Sequence, residues 1–317
     1  MPPVSRAQAL VEDVYRRFRH VEDGRVASYI PALAAADPAG FGIALAGVDG
    51  SVVTAGDCET RFSIQSLSKP FVFALVMAEI GPEAARAKLG VNATGMAFDS
   101  VIAIELGDVR ATNPMVNAGA IATASLLPGD TPEAKWSFLL DGLSRFAGRP
   151  LVVDEMVYRS ESETNLRNRG IAALLNSYGK LGTAPEVALD LYTRQCALSV
   201  TVADLARMAA VLGNGGVQPL NARRVLPAEV ARKVLAVMTI SGLYERSGDW
   251  LFDIGLPGKS GVSGGILTVA PGKGGLGAWS PPLDAAGNSV RGKAAVRYLS
   301  DALGLNLFAS MPFAAAD

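Results

Sequence analysis

Strand-type sequence stands at both ends of this 317-residue chain, and helix-type sequence fills the middle. Near the start, Phe41 to Val48 is a β-type run, Asp49-Gly50 is a hairpin turn, and Ser51 to Ala55 returns. Near the end, Trp250–Ile254, Val262–Val269 and Leu276–Trp279 are short, apolar and bounded by glycine, with turns at Pro281-Pro282 and Gly287-Asn288. Between these ends, apolar spacing predicts helices over Phe71–Ala87, Met115–Ser125, Pro132–Phe146, Thr164–Tyr178 and Pro185–Gln195. Thr201 with Asp204 opens another, Val202–Leu212, which Gly213, Gly215 and Gly216 end; Pro227–Ser241 is helical again. An amphipathic helix, Leu10 to Phe18, follows Ser5 and Gln8 at capping-box spacing, and Lys293–Leu303 closes the chain. Strands need partners, so the pattern predicts one antiparallel sheet completed by both ends, covered by the terminal helices. The expected fold is a single α/β (α+β) domain. Residues 1–62 with 200–317 form its sheet part, and 63–199 a mainly helical part.

Apolar residues make up 50% and charged residues 19%, which provides a sizeable core. Lys plus Arg number 29 and Asp plus Glu 30, a net charge of −1. A near-neutral chain lacks the basic surface that nucleic acid or an anionic membrane requires, so neither is expected as a partner. Arg6, Glu12 and Asp13 interrupt the N-terminus before an apolar stretch of signal-peptide length forms. The most apolar run, Phe71 to Ala78, is too short to span a bilayer. A cytoplasmic location with reduced thiols is therefore expected. One histidine, His20, and two cysteines, Cys58 and Cys196, cannot supply the usual four-ligand zinc site or a disulfide framework. His20 lies within a charged stretch, an unsuitable place for a Ser-His-Asp triad.

Two phosphate-type motifs fail on context. Gly272-x-Gly274-x-x-Gly277 needs a helix after it, but Pro281-Pro282 follows, so it reads as a hairpin loop. Gly258-Lys259-Ser260 has Asp253 where a P-loop requires its first glycine. Ser66-Leu67-Ser68-Lys69 is different. A serine needs a base to become a nucleophile, and lysine substitutes for histidine in that role. If Ser66 starts a helix, Lys69 lies one turn on along the same face, and the apolar helix that follows would lower its pKa by desolvation. Lys259-Ser260-Gly261 lies downstream, just before a predicted strand. A Ser-x-x-Lys motif with a later Lys-Ser/Thr-Gly is the pairing of the penicillin-recognising serine hydrolases. Acyl transfer through Ser66 is the chemistry this predicts.

Other stretches are polar enough to bind a small charged substrate. Tyr158 to Asn168 crowds charges and amides; it also fits a solvated helix start with Ser160 and Glu163 as a capping box. Glu161 and Asn168, seven apart, would share one helix face. Asn117, within Asn113-Pro-Met-Val-Asn117-Ala-Gly, fits a buried amide or a substrate donor. Tyr192 and Tyr244 fit core tyrosines or proton relays to a leaving amine.

Taken together, these motifs resemble the serine-dependent glutaminases. The resemblance rests on Phe62–Lys69, Asn113–Ala120, Val157–Asn168, Tyr192–Leu205 and Gly255–Gly265, in order and at family-like spacing, and runs from about residue 5 to residue 308. It implies a fold of the β-lactamase and penicillin-binding-protein type. It implies hydrolysis of L-glutamine to L-glutamate and ammonia without metal or organic cofactor, by a homodimer or homotetramer. It also implies roles for residues. Ser66 is the nucleophile and Lys69 the base. Substrate contacts fall on Ser66, Asn117, Glu161, Asn168, Tyr192, Tyr244 and Val262, and Tyr29 belongs to a loop that closes over the site. One departure is Pro70, where the family usually has a small aliphatic residue. The Ser-Asp-Asn motif of true β-lactamases is absent. Two alternatives stay open: another serine acyl hydrolase of this fold acting on β-lactams or peptides, and a non-catalytic amino-acid-binding relative.

Overall fold

The computed structural model describes residues 5–309 apart from Asp108 and Ala111. In chain order, α1 (Arg6–Phe18) and α2 (Pro31–Ala34) lead into β1 (Gly42–Gly47), β2 (Val52–Gly56) and β3 (Phe62–Ser63). A 3-10 turn over Gln65–Ser68 runs into α3 (Lys69–Ile80), then α4 (Pro82–Leu89), α5 (Ile102–Leu106), α6 (Asn117–Ser125) and α7 (Pro132–Ala147). Next come β4 (Val152–Val153), α8 (Glu155–Thr164), α9 (Leu166–Ser177), α10 (Pro185–Cys196), β5 (Leu198–Val200), α11 (Val202–Gly213) and α12 (Ala228–Ser241). A second 3-10 turn, Tyr244–Arg246, precedes α13 (Ser247–Ile254), β6 (Gly258–Ser260), β7 (Gly265–Ala270), β8 (Gly274–Trp279) and α14 (Val290–Ala302).

The expected sheet is present. Five strands run antiparallel in the order β2-β1-β8-β7-β6. The β1–β8 ladder joins the two ends of the chain, with Ile43 opposite Ala278 and Leu45 opposite Leu276. On one side of the sheet, α11 buries almost its whole length. Its start is fixed by the predicted capping box: Thr201 Oγ1 accepts from the Asp204 N–H, and the Asp204 carboxylate accepts from the Thr201 N–H at 2.9 Å. A Cβ on Gly275 would come 2.5 Å from the α11 backbone, so glycine is what lets helix and strand lie this close. A second apolar cluster joins α1 and α14 to the sheet: Val11, Val14, Val296 and Leu299 pack with Ile43, Ile266 and Leu276. Each such side chain stabilises the fold by about 1.5–3 kcal/mol.

Several local expectations are corrected. Trp250–Ile254 is helix, not strand, because Trp250 and Ile254 are buried four apart while Phe252 is exposed. The expected helix Phe71–Ala87 breaks at Gly81, whose φ of +85° ends α3, and Pro82 opens α4. The strand expected over Val262–Val269 begins only at Gly265; the preceding residues turn from β6. The capping box at Ser5 is half formed: Ser5 accepts the Gln8 N–H, but the Gln8 side chain donates to Glu12 and Thr54 O. A small sheet in the order β3-β5-β4 carries no sequence signal, since its strands are two or three residues long. Among the described residues no helix is long and apolar enough to cross a membrane.

Candidate active site

Ser66 lies in the first 3-10 turn, directly ahead of α3. That turn opens with Gln65 at φ +49°, and the other 3-10 turn opens with Tyr244 at φ +59°. Non-glycine residues rarely adopt this region, and holding each there costs of order 1–3 kcal/mol. The 3-10 turn also accommodates Pro70. In a continuous α-helix the Pro70 ring would clash with Ser66 O. Here Ser66 O accepts the Lys69 N–H in a 3-10 bond, and Pro70 occupies the first turn of α3.

From Lys69 to Met77, α3 is buried on every side, so Lys69 is only 1% exposed. Its ammonium donates to Asn117 Oδ1 at 2.7 Å and lies 5.6 Å from the Tyr192 ring centre. Burial lowers its pKa to about 8, opposed by the carboxylates of Glu161 and Asp99. The Ser66 hydroxyl pairs with Tyr244. Tyr244 donates to Ser260 O at 3.3 Å, and burial pushes its pKa up to about 12 against the hydrogen bond with Ser66. Lys259 Nζ sits 4.2 Å from the Tyr244 ring centre and donates to Gly242 O and Ser260 O at 2.9 and 2.8 Å. Burial, with the Lys69 charge adding to it, drives the Lys259 pKa well below its ordinary value. The Lys259-Ser260-Gly261 motif, expected beside a strand, occupies β6 and the residue after it; β6 neighbours the Ser66 turn.

The remaining predicted residues meet around one cavity of about 290 Å³, lined by Ser66, Tyr29, Asn117, Glu161, Asn168, Tyr192 and Val262. Lys69 and Tyr244 reach it through their hydrogen bonds with Asn117 and Ser66. Asn117 opens α6 and is the hub of the polar wall. Its Oδ1 accepts from Lys69 and from Tyr192 Oη at 3.1 Å, and its Nδ2 donates to Asn168 Oδ1 at 2.9 Å. Burial pushes the Tyr192 phenol pKa far up, so its proton stays on this bond. Glu161 is 6% exposed and accepts from Gln65 Nε2 at 3.3 Å. Burial raises its pKa to about 7, opposed by the Gln65 bond and the Lys69 charge.

Glu161 and Asn168 do not share a helix face as their spacing predicts. The helix breaks at Asn165, which ends α8 and opens α9, and the two residues project from successive helices. Ser160 is likewise inside α8 rather than its cap; Asp154 caps it, accepting from the N–H groups of Met156 and Val157. Among the lining residues that the sequence reading does not name as candidates are Gln65, Phe98, Asp99 and Asn165. Gln65 has a signal in its place beside Ser66. Phe98, which packs on Tyr244 at 4.8 Å, and Asp99, paired with Arg167 at 2.6 Å, have none, because only folding brings them here.

Known proteins are similar to this chain over nearly its full length. A family model described as Glutaminase matches residues 24–308. "Glutaminase 2" of Yersinia pestis is 54% identical over 313 residues, covering 99% of this chain and 92% of that protein. The "Glutaminase" of Colwellia psychrerythraea is 50% identical over 301 residues, covering 95% and 97%. Among solved structures, the probable glutaminase ybaS superposes with a TM-score of 0.93 at 43% identity, over 96% of this chain and 98% of that one. A probable glutaminase from Bacillus subtilis complexed with 6-diazo-5-oxo-L-norleucine gives a TM-score of 0.87 at 31% identity, over 97% and 98%. The fold is therefore the serine β-lactamase-like arrangement expected from the sequence, and the chain belongs to the glutaminase family.

Proposed function

We propose that the chain hydrolyses L-glutamine to L-glutamate and ammonia through an acyl-enzyme on Ser66. The observation that carries this reading is a serine one turn ahead of a buried lysine, on the wall of a cavity that also presents the Glu161 carboxylate and the side-chain amides of Asn117 and Asn168, with Lys69 bonded to Asn117. Glutamine offers an α-ammonium, an α-carboxylate and a side-chain amide. Glu161 is the partner for the first. The N–H groups that Asn117 and Asn168 do not spend on each other serve the second, by charge-assisted hydrogen bonds. The relative crystallised with a 5-oxo-L-norleucine compound supports a ligand with an amino-acid head.

With both ends held, the amide carbon faces Ser66. Lys69, whose pKa is near 8, is largely neutral at mildly alkaline pH and takes the Ser66 proton. The serine oxygen adds to the amide carbon, and the N–H groups of Ser66 and Val262 receive the oxyanion. The C–N bond breaks and ammonia leaves with the proton that Lys69 took, relayed by a tyrosine, which returns Lys69 to its neutral form. Tyr244, already paired with Ser66, suits this relay better than Tyr192, whose proton is committed to Asn117. Water gives a proton to Lys69 and adds to the acyl carbon; the ester C–O bond breaks, Lys69 returns the proton to Ser66 Oγ, and glutamate is freed.

The cavity draws Ser66, Asn117, Glu161, Asn168 and Tyr192 from the 63–199 part, and Tyr29 and Val262 from the flanking sheet part. That supports placing the site along the seam of the two parts. A cytoplasmic homodimer or homotetramer is the form we propose. The test is ammonia release from L-glutamine by the purified protein beside Ser66→Ala. Release by the parent alone is expected. Release by both would remove Ser66 from the chemistry. No release by a folded parent, with turnover of the β-lactam nitrocefin instead, would move the substrate to the acyl hydrolases of the same fold.

A further inference from the structure

Arg291, on the first turn of α14, is 4% exposed. Among the described residues its hydrogen bonds run only to neutral oxygens. Nε donates to Val21 O at 2.6 Å, and Nη1 to Pro38 O at 2.8 Å, Ser280 Oγ at 3.2 Å and Gly40 O at 3.4 Å. A buried guanidinium facing no carboxylate is costly, so its rigid fork of donors must do something that a neutral side chain could not. What it does is visible in the sequence positions of its partners. Val21 lies just after α1, while Pro38 and Gly40 lie just before β1. One side chain therefore ties both ends of the 19–41 segment to each other and to Ser280 at the end of β8.

Between those ends the segment runs to the cavity. Arg25 exchanges two backbone hydrogen bonds with Leu283, at 3.0 and 2.9 Å. The Ala32 N–H donates to Ser160 Oγ at 3.2 Å, on α8 beside Glu161. Ala27, Ile30 and Leu33 pack in a small apolar cluster with Val157 and Val262. Tyr29 lines the cavity although its side chain is 57% exposed, so little besides the course of its own segment fixes where it stands. The catalytic pair is held elsewhere, by the Ser66 turn, α3 and α6.

We infer that Arg291 is a positioning residue: by clamping the base of the 19–41 segment it places Tyr29 in the wall of the substrate cavity and so sets substrate affinity. This rests on the cavity being the glutamine site. The test is Arg291→Lys, which keeps the charge but loses the fork that spans both ends. Backbone amides of residues 21–40 should exchange with solvent about tenfold faster or more, with α3 unchanged, because hydrogen bonds to a charged group are lost. KM for glutamine should rise about tenfold while kcat stays within about twofold. Tyr29→Ala should raise KM similarly, and the double variant should be no worse than Tyr29→Ala alone. Unchanged exchange in 21–40, or KM increases that multiply in the double variant, would overturn the inference. Should Arg291→Lys fail to fold, Ser280→Ala removes one of the four partners and is expected to speed exchange in the same segment, more weakly; no change there would equally overturn it. Exchange is read without substrate, so a chain that fails on glutamine still tests the clamp. A chain that turns glutamine over with unchanged exchange and KM sinks the clamp alone.

Discussion

Glu161→Gln should make the folded chain more stable at alkaline pH while removing its grip on substrate. Glu161 is buried, and burial raises its pKa from 4.5 to about 7. Between those values the folded state keeps a proton that the unfolded chain has released. Stability therefore falls as pH rises through that window, and the loss is complete above pH 7. At about 1.36 kcal/mol per unit, the ionised carboxylate costs the folded state about 3 kcal/mol at pH 8. The amide that replaces it carries no proton to lose. Its Oε1 can still accept from Gln65, which now donates to the Glu161 carboxylate at 3.3 Å. The variant should thus gain up to about 3 kcal/mol on the parent between pH 4.5 and pH 8, roughly 5 °C in Tm for a chain of this size. Losing the partner of a buried ammonium costs about 2–5 kcal/mol, so KM should rise roughly 30-fold or more. The assay is thermal unfolding of both proteins at pH 5 and pH 8, with Michaelis curves at pH 8. An identical Tm difference at both pH values would refute the electrostatic reasoning. A stabilised variant with unchanged KM would instead take Glu161 away from the substrate ammonium.

Two further expectations concern the lysine. Lys69→Ala should cut turnover at least about 100-fold while glutamate still binds in calorimetry; activity within about tenfold of the parent would assign the base to Tyr244. For the parent, kcat/KM should climb from pH 6 to pH 9, because Glu161 ionises near 7 and Lys69 loses its proton near 8. A flat profile over that range would contradict both assignments.

Much of the site is legible before folding because its chemistry is local. Ser66 and Lys69 are three apart, and both capping-box partners of α11, Thr201 and Asp204, are too. The β1–β2 hairpin is equally plain, since Asp49-Gly50 turns it and β-type runs flank it. Distant partners are harder. That Lys69 bonds Asn117, and Ser66 pairs with Tyr244, depends on how α3, α6 and the second 3-10 turn pack. Trp250–Ile254 misleads because a five-residue apolar run carries too little period to separate helix from strand. The break at Asn165 is hidden because Asn is an acceptable residue inside a helix as well as at its end. Buried Arg291 gives no sign either, since most of its partners are backbone carbonyls that any residues could supply.

The β1–β8 ladder also dictates an order of events during synthesis. Gly42 pairs with Trp279, so the hairpin β1–β2 leaves the ribosome with its long inner edge bare. At ~5–20 residues per second, on the order of tens of seconds pass before β8 is available. Through that interval Ile43 and Leu45 sit on a strand with one edge unpaired, the kind of edge that captures other chains. The closing ladder joins segments so far apart along the chain that it must also be among the slowest contacts to form. Conditions that lengthen the wait, such as slowed translation or crowding by sister chains, should therefore lower the yield of soluble protein without touching the stability of molecules that have already closed the sheet.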